Sequence, residues 1–170
     1  MVTISEELKR AKIVKESLIT IGVFDGVHMG HKSLMNRLVL QAKSQNLTSG
    51  VVTFSNHPRT VVSKNFQPNY LTSVEERLRL IKETGVDFVV PIKFTKEVAS
   101  LKADKFTKLL RSELKMNGLM VGPDFQMGKD REGDVSKLKT LSKKQGFTLN
   151  VIDVKEIEGL TVRSTSVRDA

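Results

Sequence analysis

Leu18-Ile19-Thr20-Ile21-Gly22-Val23-Phe24-Asp25-Gly26-Val27-His28-Met29-Gly30-His31 is the stretch that decides the fold. Leu18, Ile19 and Ile21 read as a short buried strand over about 18–22. Gly22, Gly26 and Gly30 then recur in a turn that also carries Phe24, Asp25, His28 and His31. From His31 onward the pattern is helical. A strand, a glycine-bearing turn and a helix N-terminus together suit an anion. Glycine lets the backbone approach closely. The first N–H groups of a helix lack intrahelical partners, and the helix dipole favours negative charge there. Two imidazoles add hydrogen-bond donors for phosphoryl oxygens.

The turn is not a Walker A loop, because no Gly-Lys-Ser/Thr closes it, and its glycine spacing is not the dinucleotide fingerprint. The bland alternative is a tight turn with two solvated histidines. Against it, two of the chain's 3 histidines stand here, at a strand-to-helix turn.

Outward from this turn, strand and helix alternate. A thin apolar stripe predicts a short helix from Ser5 to about Lys15, with Ser5 as its cap. A helix over about 31–45 places Leu34, Leu38 and Ala42 on one face. Gly50 to Phe54 reads as a second strand, followed by an aperiodic loop to Tyr70. Thr72 and Ser73 before Glu75 and Glu76 predict a capped helix with Val74, Leu78 and Ile81 inward, ending at Gly85. Val86 to Ile92 reads as a strand buried on both faces. Phe94 to Leu101 is irregular or a short helix. Asp104 to Lys115 is a helix with Phe106, Leu109, Leu110 and Leu114 on one side. Leu119 to Val121 is a strand, 122–133 a polar loop, Asp134 to Gly146 a capped helix, and Phe147 to Ile152 a strand. Such alternation predicts an α/β fold, a parallel sheet with helices on both faces and a ligand site at the C-terminal strand edge.

The 170 residues suit one domain with a real core. There is no cysteine, which excludes disulfides and thiolate chemistry. No apolar run reaches membrane-spanning length and the N-terminus has no signal-peptide form, so the cytoplasm is the default expectation. The net charge of +9 suits nucleic acid, an anionic membrane surface or polyphosphate substrates. Lys43, Arg77, Arg79, Lys105, Lys108, Lys115, Lys143 and Lys144 are scattered along the predicted helices. They read as a solvated basic surface, with nucleic acid the minority alternative.

Besides 22–31, three loops follow the same logic. Phe54 to Arg59 holds the remaining histidine, His57, before a proline. Val121 to Gly133 holds Gly122, which permits close backbone approach, and Asp124, an acceptor for ribose hydroxyls. Ser164, Thr165 and Ser166 offer hydroxyls at an expected helix start, and Arg168 a forked donor set for an anion. Each also has a bland reading, as a turn, a hairpin-like loop or an ordinary cap.

The run from Gly22 to His31 resembles the signature of the HxGH nucleotidyltransferase superfamily. In its long form it resembles the bacterial FAD synthetases, or FMN adenylyltransferases. His-x-Gly-His alone is shared with class I aminoacyl-tRNA synthetases; the longer form is far more specific. The resemblance continues in order along the chain. Thr53-Phe54 with His57-Pro58 is similar to the family's TFxPHP, and Leu71-Thr72 to its Leu-Thr helix start. Gly122-x-Asp124-Phe125-x-x-Gly128 resembles GxDFxFG, and Val162 to Arg168 resembles ISSTxIR. Gln126 and Met127 replace an arginine and a phenylalanine of that pattern, and Arg163 replaces a serine.

The resemblance implies a Rossmann-like sheet of nucleotidyltransferase type and transfer of AMP from ATP to FMN, giving FAD and pyrophosphate. It implies that His28 and His31 hold the reacting phosphates, with Ser164, Thr165 and Arg168 on the β/γ side. Gly22, Phe24, Asp25, Gly30, Gly122 and Asp124 fall to ATP. Phe54, His57, Arg59 and Phe125 fall to the flavin. Mg²⁺ would arrive with ATP, with no metal ligands from the protein and no covalent intermediate. Bacterial members usually continue into a riboflavin kinase barrel, for which 170 residues leave no room. The expectation is therefore a single adenylyltransferase domain over 1–170, either a cut domain or a single-activity enzyme. The competing readings are another HxGH transferase acting on phosphopantetheine, nicotinate mononucleotide or an alcohol phosphate, a nucleic-acid-binding module, and a catalytically reduced domain that binds flavin or ATP.

Overall fold

The computed structural model describes residues 3–24, 29–56 and 73–152. Five strands form one sheet: β1 (Ser17–Ile21), β2 (Thr48–Phe54), β3 (Phe88–Ile92), β4 (Met116–Val121) and β5 (Thr148–Val151). Their spatial order is β3-β2-β1-β4-β5, and every pairing is parallel. The chain builds outward from β1 through β2 to β3, then returns to lay β4 against the other side of β1. Neighbouring loops diverge at that reversal and leave a crevice at the C-terminal strand ends.

The predicted α/β class holds. Helices α1 (Ile4–Lys9), α2 (Met29–Ser44), α3 (Val74–Glu83), α4 (Lys96–Ala99), α5 (Ala103–Leu114) and α6 (Val135–Gln145) cover the sheet. The period of two along each strand sorts the side chains. Leu18, Val51 and Met120 pack with Leu34, Met35 and Leu38 of α2 and Ile81 of α3. Ile19, Ile21, Val52, Leu119 and Val121 pack on the opposite face with Leu8, Phe106, Leu110, Leu114, Leu138 and Leu141 from α1, α5 and α6. Burying each such aliphatic side chain is worth about 1.5–3 kcal/mol, which makes these two layers the main source of stability.

Local chemistry sets most boundaries where expected. Ser73 Oγ accepts from Glu76 N–H at 3.1 Å, and Asp134 Oδ1 accepts from Lys137 N–H at 2.8 Å. Gly146 closes α6 with φ +83, where a residue without Cβ is favoured. Several boundaries differ. Thr3 rather than Ser5 caps α1, with Oγ1 accepting from Glu6 N–H at 3.2 Å, and the helix ends at Lys9. Helix α2 starts at Met29, so His31 lies within its first turn rather than opening it. Strands β2 and β4 begin earlier, at Thr48 and Met116, because backbone pairing with β1 extends them past their apolar runs.

Two burial expectations are corrected. β3 is an edge strand, and its Pro91 is exposed, which suits a residue without a backbone donor. Arg77 does not join a solvated basic surface. It is 1% exposed, and its guanidinium donates to the backbone carbonyl of Phe54. On α3 the most deeply buried side chains are Arg77 and Ile81, while Val74 and Leu78 are half-buried.

Candidate active site

Three described loops meet at the C-terminal edge of the sheet. The first leaves β1 at Gly22. Thr53, fully buried on β2, donates from Oγ1 to the Val23 carbonyl at 2.9 Å and so ties this loop to the neighbouring strand. Phe24 adopts φ +53, in the left-handed region that a bulky residue rarely enters. That backbone turns its ring back over Gly22, where an added Cβ would come within 2.6 Å of Phe24 Cζ. The same ring meets the imidazole of His31 edge to face, with centroids 5.1 Å apart and planes at 81°. Phe24 is buried against Leu34, Met35 and Leu38, so the histidine is braced by the core beneath α2. His31 is half-buried in the first turn of α2, where backbone N–H groups have no partners within the helix.

The second wall comes from β2 and β3. Phe54 ends β2, and Phe94 follows β3. Their rings are also edge to face, 5.5 Å apart at 84°.

The third is the loop from Gly122 to Asp134. It doubles back through an isolated antiparallel bridge between Met127 and Gly133. Its base is fastened to the start of α5. Lys129 N–H donates to the Leu101 carbonyl at 2.8 Å, and Glu132 Oε1 accepts from Ala103 N–H at 3.0 Å. Lys102, the residue at the α5 N-cap, makes no side-chain cap bond, so the loop supplies one through Glu132. Gly128 packs directly on the Ala103 backbone: a Cβ there would lie 2.8 Å from Ala103 N.

Between these walls lies a cavity of about 440 Å³, inside the usual range for small-molecule sites. Phe54, Phe94, Phe106 and Phe125 supply aromatic surface, and Val23, Val98 and Met127 aliphatic surface. Gly22 borders it on the β1 side, and the exposed side chains of Asp130 and Arg131 stand at the 126–131 margin. Such a lining suits a planar, largely apolar ring system with a polar end directed outward. Among the described residues, no group of three or more His, Asp or Glu side chains stands close enough to hold a metal ion.

Of the residues singled out in the sequence, Gly22, Phe54 and Phe125 line the cavity. Phe24 and His31 touch each other across the opposite face of the sheet, at the N-terminal end of α2. Gly30 falls in the first turn of α2. Gly122 directly follows β4, with Asp124 exposed beyond it. Among the described residues, a Cβ on Gly122 would meet only the Ile152 carbonyl, at 4.0 Å. Asp25, His28, His57, Arg59, Ser164, Thr165 and Arg168 lie outside the described residues. Phe94, Val98, Ala99 and Phe106 line the cavity without having been singled out. Phe94 carried a usable signal, since it follows a strand at the same edge. Phe106 carried none, because an apolar residue on a helix face reads as core.

The profile of the FAD synthetase family matches residues 10–166. The bifunctional riboflavin kinase/FMN adenylyltransferase of Escherichia coli strain K12 is 36% identical over 154 residues, spanning 90% of this chain and 49% of that protein. The protein of the same description from Pseudomonas fluorescens is 38% identical over 152 residues, spanning 89% and 49%. The chain thus spans about half the length of these curated relatives. Among solved structures, the crystal structure of a macrolide-efflux protein from Streptococcus pneumoniae matches with a TM-score of 0.77 over 96% of this chain and 53% of its own. At 24% identity that likeness speaks for the fold alone.

Proposed function

The chain belongs to the FAD synthetase family, and from that premise we propose that it transfers the adenylyl group of ATP to FMN, releasing FAD and pyrophosphate. The observation that carries the reading is the aromatic cavity at the C-terminal sheet edge, walled by Phe54, Phe94, Phe106 and Phe125 and bordered by Gly22, where the chain leaves β1. An isoalloxazine ring suits four phenyl walls. A flexible pantetheine arm or an alcohol phosphate has no such use for them, so the other HxGH acceptors are less favoured.

In this reaction an FMN phosphate oxygen forms a bond to the α-phosphorus of ATP. The bond from that phosphorus to the bridging oxygen breaks, and pyrophosphate leaves with the electron pair. The protein's task is alignment and stabilisation of charge. His28 and His31, with the N–H groups of the first turn of α2, hold the reacting phosphates. Ser164, Thr165 and Arg168 take the β and γ phosphates. Gly22, Phe24, Asp25, Gly30, Gly122 and Asp124 serve ATP. For Phe24 the role is indirect, since its ring is buried against His31. Phe54, His57, Arg59 and Phe125 serve the flavin.

A divalent ion carried in by the triphosphate, bound mainly by phosphates and water, suits this reaction. Mg²⁺ is that ion in this reading, and it supplies charge neutralisation on the phosphates. No helix among the described residues is long and apolar enough to cross a membrane. The reading puts the reaction in the cytoplasm, where ATP is made. It assigns adenylyl transfer, and not riboflavin phosphorylation, to residues 1–170 as one domain.

An acceptor panel with labelled ATP tests the substrate class. FMN should be adenylylated, and phosphopantetheine, nicotinate mononucleotide and simple alcohol phosphates should not. Preference for one of those three would replace the flavin reading.

A further inference from the structure

The aromatic wall formed by Phe54 and Phe94 is fastened from outside the sheet. Just past the end of β2, Ser55 N–H still donates to the carbonyl of Ile92, the last residue of β3, at 2.9 Å. One residue later a side chain takes over from the backbone ladder. Asn56 donates from Nδ2 to the Phe94 carbonyl at 2.9 Å and accepts at Oδ1 from Phe94 N–H at 2.8 Å. A carboxamide presents a donor and an acceptor side by side, as a peptide group does. It therefore satisfies both main-chain groups of Phe94 at once. Both bonds are half-buried, where an unmet backbone group is costly.

The position of this clasp matters more than its strength. Phe94 sits between the end of β3 and the single turn of α4, with no regular element of its own to fix it. Its ring lines the cavity and rests edge to face on Phe54. Phe54 is held by its own carbonyl, which accepts from the buried Arg77 guanidinium. One ring of the pair is thus anchored through β2 and α3, and the other through Asn56.

We propose that Asn56 is a positioning residue for the ring system bound in the cavity: its two-point clasp on the Phe94 main chain holds the Phe94 ring against Phe54 and sets that wall. The inference rests on the flavin reading above. Asn56 acts through Phe94 and touches no substrate itself. Its loss weakens flavin binding and leaves the nucleotide side alone, because His31 is braced separately by Phe24 on the other face of the sheet.

Two variants test this by direct titration, with FMN followed by flavin fluorescence and ATP by calorimetry. Asn56→Ala removes both bonds. Its dissociation constant for FMN should rise about tenfold, as expected for losing a pair of ordinary hydrogen bonds, while that for ATP stays within about twofold. Asn56→Asp supplies a readout that a merely structural role would not move. An ionised carboxylate still accepts from Phe94 N–H but turns lone pairs toward the Phe94 carbonyl; once protonated it regains a donor. Its FMN affinity relative to wild type should be poor near about pH 8 and recover toward wild type near about pH 5, as the carboxyl is protonated. Taking the ratio at each pH cancels the titration of the FMN phosphate, and Glu7, which accepts from Lys93 N–H beside Phe94, is common to both proteins.

FMN affinity unchanged in Asn56→Ala, equal losses for FMN and ATP, or a ratio for Asn56→Asp that is flat with pH would each overturn the inference. Should Asn56→Ala not fold, the pH response of Asn56→Asp decides alone. Wild-type protein that fails to bind FMN at all would remove the flavin reading, and this inference with it.

Discussion

The Phe24 ring stands edge-on to the His31 imidazole, at 5.1 Å between centroids and 81° between planes. Phe24 adopts φ +53 here, and with that backbone its ring turns back between Gly22 and His31. A residue in the left-handed region costs of order 1–3 kcal/mol, which the burial of the ring offsets. Phe24→Leu keeps most of the volume and loses the edge-to-face contact. Turnover should fall by about tenfold, with ATP binding within about twofold of wild type. Gly22→Ala, whose new methyl would press on the same ring, should act in the same direction. Steady-state kinetics with separate nucleotide titration checks both.

His31→Ala should cost catalysis more than ATP binding. An interaction that tightens as charge develops on the transferring phosphate lowers the barrier without comparable ground-state affinity. Loss of one such donor is worth roughly 3–4 kcal/mol, or about two to three decades in rate. Ser164→Ala should instead raise the KM for ATP with a smaller effect on kcat, since a phosphate donor already engaged in the ground state is lost. Kinetics on the pair separates the two roles.

Gly50 on β2 stands opposite Phe88 on β3, and the Phe88 ring lies over its Cα. An added Cβ would fall 2.0 Å from Phe88 Cζ. Gly50→Ala should therefore destabilise by about 1–3 kcal/mol, the usual cost of overpacking, by forcing the ring aside. Urea denaturation of the variant measures it through the shift in midpoint.

Arg77→Met removes the donor to the Phe54 carbonyl while keeping an unbranched apolar stem. A buried carbonyl deprived of a charged donor costs roughly 2–3 kcal/mol, and that loss should appear in the denaturation midpoint. Arg77→Lys should recover little of it, because an ammonium cannot reproduce the planar geometry of the guanidinium. A wild-type midpoint in Arg77→Met would show that the contact contributes nothing net.

Features built from local chemistry were readable in the sequence: strand β1, the caps at Ser73 and Asp134, the end of α6 at Gly146, and the alternation that predicts a parallel sheet. Each depends on residues within a few positions of one another. What depended on distant partners was not readable. Nothing near Arg77 distinguishes it from the exposed Arg79, which pairs with Glu76 and Glu83 on the surface of the same helix. Its burial is set by the Phe54 carbonyl on another element. Similarly, Phe106 becomes a wall of the cavity only because β4 returns beside β1 and carries the 122–134 loop over α5. The order β3-β2-β1-β4-β5 follows from packing, and no stretch of sequence states it. His31 was legible as a candidate, but its brace by Phe24 was not, because a left-handed phenylalanine has no sequence signature.

The most direct test of the central claim is to incubate the 170-residue protein with FMN, ATP and Mg²⁺ and to measure FAD and pyrophosphate together. Equal amounts of the two should form, with none without FMN. Pyrophosphate released without FAD, or no turnover of FMN by a folded protein that binds ATP, would contradict the assignment of adenylyl transfer to this chain.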